Sequence, residues 1–348
     1  MLPGSVPGGP GSVSAIRRTD LTRHRERMRN FAVTTLAAPP YPARINRHAA
    51  QVGAASTRWA RRVGLVTTAD AAARLGQANA AGLAARACPD ADVGLLGLLT
   101  DLFTWLFALD DRCDDDGLGA DPVRLSPLVA QLLDVLDLLG EPVAAESVAA
   151  GPVGVALHDL CQRVRARSRP VLLRFVAEVR EYLLALLWEA ANRRHRRVPT
   201  VAEYQQMRRH TSGVRPSFTL TDLAHGVAAA DGTLIDARHH ADPRLSRLDA
   251  LATDLICWCN DVFSYGKERR VAADGHNLPT VIAGETGRDE EAALADAAHR
   301  YNAGLEAYAR LEAELLSDAD PAVRRLLTAR RCWIRGCYDW SLEAVRYR

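Results

Sequence analysis

Apolar positions along most of the chain recur with the spacing of α-helices. From residue 45 onward they return every three or four residues, and no stretch alternates apolar and polar residues long enough to indicate a strand. Helix-start signals such as Asp121-Pro122 and Asp320-Pro321 separate the periodic segments. The predicted helices cover residues 45–63, 69–87, 93–112, 122–139, 153–168, 170–194, 200–211, 215–228, 245–269, 288–315 and 320–345. This pattern predicts an all-α protein of about ten or more helices.

The first 37 residues do not share this pattern. Residues 1–15 are rich in Gly, Pro and Ser, and residues 16–37 carry six Arg. Segments with so few apolar residues cannot bury enough surface to fold, and the prolines that follow mark a break in the chain. We therefore predict a disordered arm at 1–37 and a single helical domain at 38–348, because no later repeat or change of composition divides it.

Composition narrows the class of protein. Of 348 residues, 48% are apolar and 25% are charged, as in soluble globular proteins. The net charge of +2 argues against an extended nucleic-acid surface, and we interpret the Arg-rich run 192–197 as a solvated helix end. No uninterrupted apolar run reaches the ~18 residues of a membrane span. The seven cysteines form no CxxC pair, so we expect free thiols in a cytoplasmic protein.

Acidic residues cluster at the end of the most apolar predicted helix. Asp110 and Asp114 are four residues apart and share a helix face, with Asp111 and Asp115 one residue further round. Stacked carboxylates repel one another, and aspartate at a helix C-terminus opposes the helix dipole. A bound cation would relieve both effects. A solvated acidic helix end is the alternative, and this cluster alone does not decide between them.

A second set of polar residues follows one helix face in the stretch 254–269. Asn260, Ser264 and Glu268 recur every four residues, with only ~40° of drift per step, and Lys267 lies within ~20° of the same line. Amide, hydroxyl and carboxylate oxygens suit Mg²⁺, and a neighbouring cation suits the phosphate that such a metal commonly carries. The pattern predicts a metal and phosphate site, or else a coincidence of spacing.

A helix break is predicted near Gly213. Glycine weakens a helix, and Pro216 lacks the N–H that would continue it. Such a break leaves carbonyl groups without partners inside the helix, and Arg209 lies just before it. The alternative is an irregularity of packing with no chemical role.

Two further groups also have plain structural interpretations. Phe103 and Phe107 share the helix face that leads to Asp110, either as core packing or as the wall of a cavity. Arg346 and Tyr347 follow an aromatic-rich predicted helix, either as a frayed basic tail or as part of a site.

Taken together and in this order, these segments resemble the bacterial class I terpene synthases. The aspartate-rich motif of that family, DDxxD or DDxxE, is matched by Asp110–Asp114. Its second metal motif, (N/D)Dxx(S/T)xx(K/R)(D/E), is matched at every specified position by Asn260–Glu268. An acidic cluster alone is a weak signal, whereas the second motif is strong and the ordered pair is stronger still. The resemblance runs from about residue 38 to the end of the chain and implies that 38–348 is the catalytic domain.

The resemblance also implies roles outside the metal motifs. Arg209 matches the pyrophosphate-sensing arginine of the family, and Ser212 and Gly213 match its linker and effector residues. Arg346 and Tyr347 match its C-terminal Arg-Tyr pair.

One departure is that the chain between the sensor and the second metal motif is a few residues longer than is usual in the family. Residues 228–243 would be the insertion, and Arg215 is an alternative sensor.

What the resemblance implies is a helical bundle around a central apolar cavity that holds three Mg²⁺ ions. The implied metal ligands are Asp110, Asn260, Ser264 and Glu268, with Asp114 assisting. The implied diphosphate donors are Arg209, Lys267, Arg346 and Tyr347. The implied residues around the reacting cation are Arg209, Ser212, Gly213, Phe103 and Phe107, with the carbonyl of Gly213 or its neighbour facing the cation.

The implied reaction is Mg²⁺-dependent ionisation of a linear prenyl diphosphate, followed by cyclisation of the carbocation to a terpene hydrocarbon or alcohol. We expect farnesyl diphosphate as substrate, with geranyl or geranylgeranyl diphosphate as alternatives, and a monomer or homodimer. Chain-elongating synthases carry two aspartate-rich motifs, and class II cyclases carry a DxDD motif that this chain lacks. A non-enzymatic helical scaffold is the rival hypothesis of another kind.

Overall fold

The computed structural model describes residues 30–115, 117–227, 242–271 and 276–344, and for 114–115 and 267–271 it describes the backbone alone. Within these ranges the regular structure is helical, as the hydrophobic pattern predicts, and contains no strand. The described α-helices are α1 (Ala49–Arg62), α2 (Ala69–Ala78), α3 (Ala80–Ala87), α4 (Val93–Asp115), α5 (Pro122–Asp137), α6 (Gly151–Arg167), α7 (Arg169–His195), α8 (Val201–Thr211), α9 (Val214–Ala224), α10 (Pro243–Val271), α11 (Leu278–Thr286), α12 (Glu290–Asp318) and α13 (Pro321–Glu343). Short 3₁₀ helices lie at Leu118–Ala120 and Ala145–Ser147.

The helices differ from the prediction in two respects besides small shifts at their ends. The segment 69–87 is two helices, because Asn79 adopts a left-handed conformation (φ 50°) and its side chain accepts a hydrogen bond from the N–H of Gly82. Asparagine tolerates this conformation better than most residues. Helix α11 was not predicted, since its nine residues are too few to show a clear helical period.

Helix α4 lies at the centre of the bundle and packs against α1, α3, α6 and α9. Leu99, Leu102 and Trp105 are completely buried, and the Trp105 indole donates to the carbonyl of Val153 at 3.0 Å. Among the described residues, α4 is the one helix whose length and apolar composition would allow it to cross a membrane. Here its apolar surface is covered largely by neighbouring helices.

Helix α10 is a second long helix of the bundle and packs against α12 and α13. Helix α13 also packs tightly on α3, where a Cβ at Gly336 would lie 2.8 Å from the Cβ of Arg86. Buried residues of α4 and α10 belong to one hydrophobic core.

The packed region begins before residue 38. Ala32 and Leu36, in and after a helical turn at 30–35, are buried in the core. The side chain of Asn302 bonds to the backbone of this segment, which ties it to α12. Residues 1–29 of the predicted arm lie outside the described residues, as does most of the predicted insertion at 228–243.

Candidate active site

A cavity of about 380 Å³ lies between α4, α7, α8, α10 and α13. Its apolar lining includes Leu83, Phe103, Leu106, Phe107, Leu186, Val214, Ile256 and Trp333. Its polar lining includes Asp110, Glu189, Arg193, Arg208, Asn260, His276 and Asn277. Asp110 is exposed, whereas Phe103 and Trp333 are each only 3% exposed. Asp110 therefore marks the mouth of the cavity, and the rings of Phe103 and Trp333 lie in its interior.

Helix α4 carries cavity residues from the interior to the mouth. Phe103, Phe107 and Asp110 follow one another at helical spacing and all line the cavity. At ~1.5 Å of rise per residue, the first and last are ~10 Å apart along the helix axis. The half-buried ring of Phe107 stacks on Trp340, with ring centroids 6.2 Å apart. The aspartate-rich motif thus begins where the aromatic wall meets the mouth.

Helix α10 brings Asn260 to the same cavity. Its side-chain oxygen accepts a hydrogen bond from the Nη2 of Arg208 at 2.9 Å. Ser264, one turn further along, is buried and donates a long 3.5 Å hydrogen bond to the carbonyl of Asp261. That bond occupies the hydroxyl proton and leaves lone pairs on the oxygen, which is the state in which serine can act as a ligand.

Asp261 has a different environment from its neighbour Asn260. Its carboxylate is completely buried and accepts hydrogen bonds from the Tyr204 hydroxyl (2.6 Å), from Arg208 (2.9 Å) and from the backbone N–H of Leu278 (3.3 Å). Burial raises the pKa of Asp261 above its ordinary value, although the Arg208 charge opposes this shift. The residue links α8, α10 and α11 and does not line the cavity.

Of the adjacent residues Arg208 and Arg209, Arg208 is the one that lines the cavity. Its side chain is 16% exposed, and although burial acts against its charge, the Asp261 carboxylate holds the pKa of Arg208 well above its usual range. Arg209 instead forms two 2.7 Å hydrogen bonds to Asp254 and does not line the cavity. Adjacent residues on a helix project ~100° apart, so only one of the two can face inward. The structure corrects the expectation that Arg209 faces the site, and the alternative Arg215 pairs with Glu178 away from it.

The predicted helix break is present. Helix α8 ends at Thr211 and α9 begins at Val214, with Gly213 at φ +68° between them. Ser212 and Gly213 both line the cavity, and a Cβ at Gly213 would lie 2.9 Å from Leu106 Cδ1.

The two carbonyls at this break differ in their partners. The Gly213 carbonyl accepts a 2.7 Å hydrogen bond from the hydroxyl of Ser217. The N–H that would normally bond to the Ser212 carbonyl belongs to position 216, which is a proline and has none. The freed carbonyl expected at Gly213 or its neighbour is therefore that of Ser212.

Several cavity residues were not identified from sequence. Arg193 was interpreted as part of a solvated helix end, but it lines the cavity and donates to the carbonyl of Gly119 at 3.1 Å. His276 also lines the cavity, with its ring 5.4 Å from that of Trp188. Trp333 was recognised only as part of an aromatic helix. Its four-residue spacing from Cys337, which also lines the cavity, is a signal that could have revealed a common face.

Five predicted site side chains lie outside the described residues. They are Asp114, Lys267, Glu268, Arg346 and Tyr347. The backbone of the first three continues α4 and α10, whereas 345–348 follow the end of α13.

The oxygen donors among the described residues fit a hard cation that takes most of its remaining ligands from a bound phosphate group and water. Asp110 and Asn260 come from two different helices and line one cavity, where Arg208 supplies positive charge. No three His, Cys, Asp or Glu side chains within the described ranges cluster closely enough to hold a metal by themselves. Mg²⁺ commonly takes one or two carboxylates and completes its octahedron with phosphate oxygens and water. The residues present therefore fit Mg²⁺ together with a diphosphate.

Comparison with known proteins gives a consistent set of matches. Residues 101–307 match the family model described as terpene synthase family 2, C-terminal metal binding. The chain is 35% identical over 320 residues to a (+)-T-muurolol synthase, farnesyl diphosphate cyclizing, from Roseiflexus castenholzii, covering 88% of this chain and 92% of that protein. It is 33% identical over 315 residues to a corvol ether synthase of Kitasatospora setae, covering 88% and 93%.

A solved structure has the same fold. The crystal structure of a linalool/nerolidol synthase from Streptomyces clavuligerus superposes with a TM-score of 0.74 and 25% sequence identity. The match covers 88% of this chain and 99% of that one. It therefore extends over nearly the whole described bundle.

Proposed function

The chain belongs to the bacterial class I terpene synthase family, and from that membership we propose that it ionises a linear prenyl diphosphate and cyclises the resulting cation. The products would be diphosphate and a terpene hydrocarbon or alcohol. The observation that carries the proposal is one cavity that has Asp110, Asn260 and Arg208 in its polar lining and aromatic rings in its interior. That arrangement suits a charged leaving group attached to an apolar chain.

The family is described as metal binding, so a divalent metal belongs to this site. We propose three Mg²⁺ ions, held by Asp110 with help from Asp114, and by Asn260, Ser264 and Glu268. When bound, Mg²⁺ supplies Lewis-acid stabilisation of the charge that develops on the leaving diphosphate.

Arg208 is our proposed diphosphate donor on α8, in place of Arg209. Its guanidinium stays charged because the buried Asp261 carboxylate lies beside it, and it already bonds to the proposed ligand Asn260. A fixed, charged donor of this kind stabilises a leaving group without reorganisation during the reaction. Lys267, Arg346 and Tyr347 remain the other proposed donors.

The interior residues would hold and shield the cation. Water would quench an allylic cation, and the buried side chains of Phe103 and Trp333 help to exclude it. Aromatic faces contribute about 0.5–2 kcal/mol to cation binding in a desolvated site. The Ser212 carbonyl, which Pro216 cannot satisfy, adds a dipole next to Gly213 in the cavity wall.

Farnesyl diphosphate is the proposed substrate. The named activity of the Roseiflexus castenholzii relative is farnesyl diphosphate cyclisation, at 35% identity over 88% of this chain. Geranyl and geranylgeranyl diphosphate are the alternatives. We propose that the enzyme acts in the cytoplasm, as a monomer or homodimer.

The test is incubation of the purified protein with Mg²⁺ and each of the three prenyl diphosphates, with diphosphate release and volatile products measured. We expect cyclic products from farnesyl diphosphate and none after chelation of the metal. The double variant Asn260→Ala/Glu268→Ala should be inactive while remaining folded. Wild-type turnover by that variant would refute the proposed metal site, and no turnover of any substrate by the wild type would favour a non-enzymatic scaffold.

A further inference from the structure

A buried ion-pair cluster lies behind the aromatic end of the cavity. The side chain of Arg330, on α13, is completely buried and bonds to Asp249 of α10 at 2.7 and 3.1 Å. It also bonds in a bidentate manner to Asp222 of α9, which is equally buried and which Arg174 contacts at 3.2 Å. Two carboxylates from two helices therefore hold this guanidinium plane in one orientation.

Aromatic rings connect this guanidinium to the cavity. The guanidinium carbon of Arg330 lies 4.0 Å from the ring centroid of Phe218. Phe218 packs edge-to-face on Trp333 at 6.2 Å and 68°, and Trp333 packs edge-to-face on Phe103 at 5.5 Å and 83°. Trp333 and Phe103 line the cavity, so the series of rings ends at its wall.

The placement of these residues couples the ion pairs to the rings. Arg330 and Trp333 are three residues apart on α13, and Phe218 and Asp222 are four apart on α9. Each helix thus contributes one charged and one aromatic member, and movement of either ring would disturb an ion pair. Edge-to-face pairs are directional, so the orientation of one ring restricts the next.

We propose that Arg330 is a positioning residue for product specificity. Through Phe218 it fixes the orientation of the Trp333 and Phe103 rings, and so the contour against which the cation folds, without touching substrate. This inference rests on the proposed function. Because competing cyclisations share one cation, a twofold change in product ratio needs a difference of only ~0.4 kcal/mol between their barriers.

The test compares Arg330→Lys with Arg331→Lys. Lysine keeps the positive charge but has neither the planar face nor the bidentate fork. Arg331 is a matched control on the same helix, because it pairs with Glu312 at 2.7 Å and lies over the ring of Tyr41, away from the cavity. We expect Arg330→Lys to change the ratio of the main products by about two- to tenfold, and Arg331→Lys to leave it unchanged.

Phe218→Leu provides a second variant that keeps every Arg330 ion pair. It should change the product ratio in the same direction, and its effect should not add to that of Arg330→Lys. If Arg330→Lys does not fold, Phe218→Leu alone decides the question. An unchanged product ratio in folded variants would overturn the proposal and leave the cluster a purely structural role.

Near-UV circular dichroism separates this proposal from the proposed function. The aromatic signal should fall in Arg330→Lys and Phe218→Leu, with the far-UV helix signal retained, because the rings lose their fixed orientation. This measurement needs no turnover. Wild-type protein without activity would refute the proposed function, whereas unchanged near-UV spectra in both variants would refute the positioning role.

Discussion

Arg208 and Arg209 are adjacent in the sequence but have separate roles in the structure. Arg208 bonds to Asn260 at the cavity, whereas Arg209 bonds to Asp254 outside it. Helix geometry requires that their side chains diverge by ~100°. Sequence alone does not reveal which of the two directions is inward, because that depends on how α8 is rotated against α10.

Arg208→Lys should therefore reduce the rate of diphosphate release far more than Arg209→Gln. Lysine keeps one charge but cannot bond to Asn260 and Asp261 together, and loss of one oriented donor commonly costs ~10²–10³ in kcat. Arg209→Gln should keep kcat within a few fold of the wild type. It should lower the free energy of unfolding by ~1–3 kcal/mol, because Asp254, whose side chain is only 3% exposed, loses its charged partner.

The measurement is kcat per folded molecule for both variants, together with urea unfolding. Equal losses of kcat in the two variants would contradict the assignment of Arg208. A large loss in Arg209→Gln alone would restore Arg209 as the diphosphate donor.

At the scale of elements, the α8–α9 break depends on Gly213 for two independent reasons. Its φ of +68° disfavours any residue with a Cβ, and that Cβ would meet Leu106 on α4. Gly287 has nearly the same φ, +67°, but a Cβ there would meet nothing within 4 Å. Alanine substitutions at these two glycines therefore separate the cost of backbone strain, which both share, from the cost of a steric contact, which only Gly213 has.

Gly287→Ala should destabilise the protein by ~1–2 kcal/mol, through the left-handed conformation alone. Gly213→Ala should cost ~1–3 kcal/mol more, because Leu106 has to move, and it should also alter the product ratio at the cavity. Denaturant unfolding and product chromatography of both variants measure these effects. Equal destabilisation, with unchanged products in both, would show that the contact with Leu106 is relieved without cost.

At the scale of the whole molecule, polar contacts connect helices that are distant in sequence. The ring of His225, at the end of α9, bonds to the carbonyl of Ala87 at the end of α3 at 3.0 Å. Burial lowers the pKa of His225 below 6.5, although the carbonyl of Ala87 opposes this shift. The Nε2–H of the neutral ring donates a hydrogen bond to that carbonyl.

The protein should consequently lose stability as the pH falls below ~6.5. In that range the unfolded chain binds a proton at His225, whereas the folded protein does not until its lowered pKa is reached. The loss is at most ~1.4 kcal/mol per pH unit for one proton. Above ~6.5 both states are neutral and the contribution of this residue is fully present.

Thermal unfolding at pH 7.5 and 5.5 measures this effect. His225→Gln can still donate to the Ala87 carbonyl but does not titrate, so the drop in Tm between the two pH values should be smaller than in the wild type. The exposed His195 provides the control, and His195→Gln should behave as the wild type does. A drop in Tm that is the same in all three proteins would contradict the role of His225.

Predictions from local pattern were the most successful part of the sequence analysis. The apolar period and the helix caps specify most of the helices because both act within a few residues. The side chains of Asp121 and Asp320, for example, accept hydrogen bonds from backbone N–H groups in the first turns of α5 and α13. The proposed metal motif on α10 is readable from sequence for the same reason, since its members share one face of one helix. The helix break also followed from two local residues, Gly213 and Pro216.

Tertiary structure decided which of these local faces meet. Asp110 and Asn260 lie on different helices far apart in sequence, and only packing brings them to one cavity. The choice of Arg208 over Arg209, and the inclusion of Arg193 in the lining, depend on the rotation of each helix against its neighbours. That rotation is set by the sum of many long-range side-chain contacts, which hydrophobic period does not encode. The chain by itself thus determined the helices and the chemistry they carry, and the packed fold determined which side chains share the cavity.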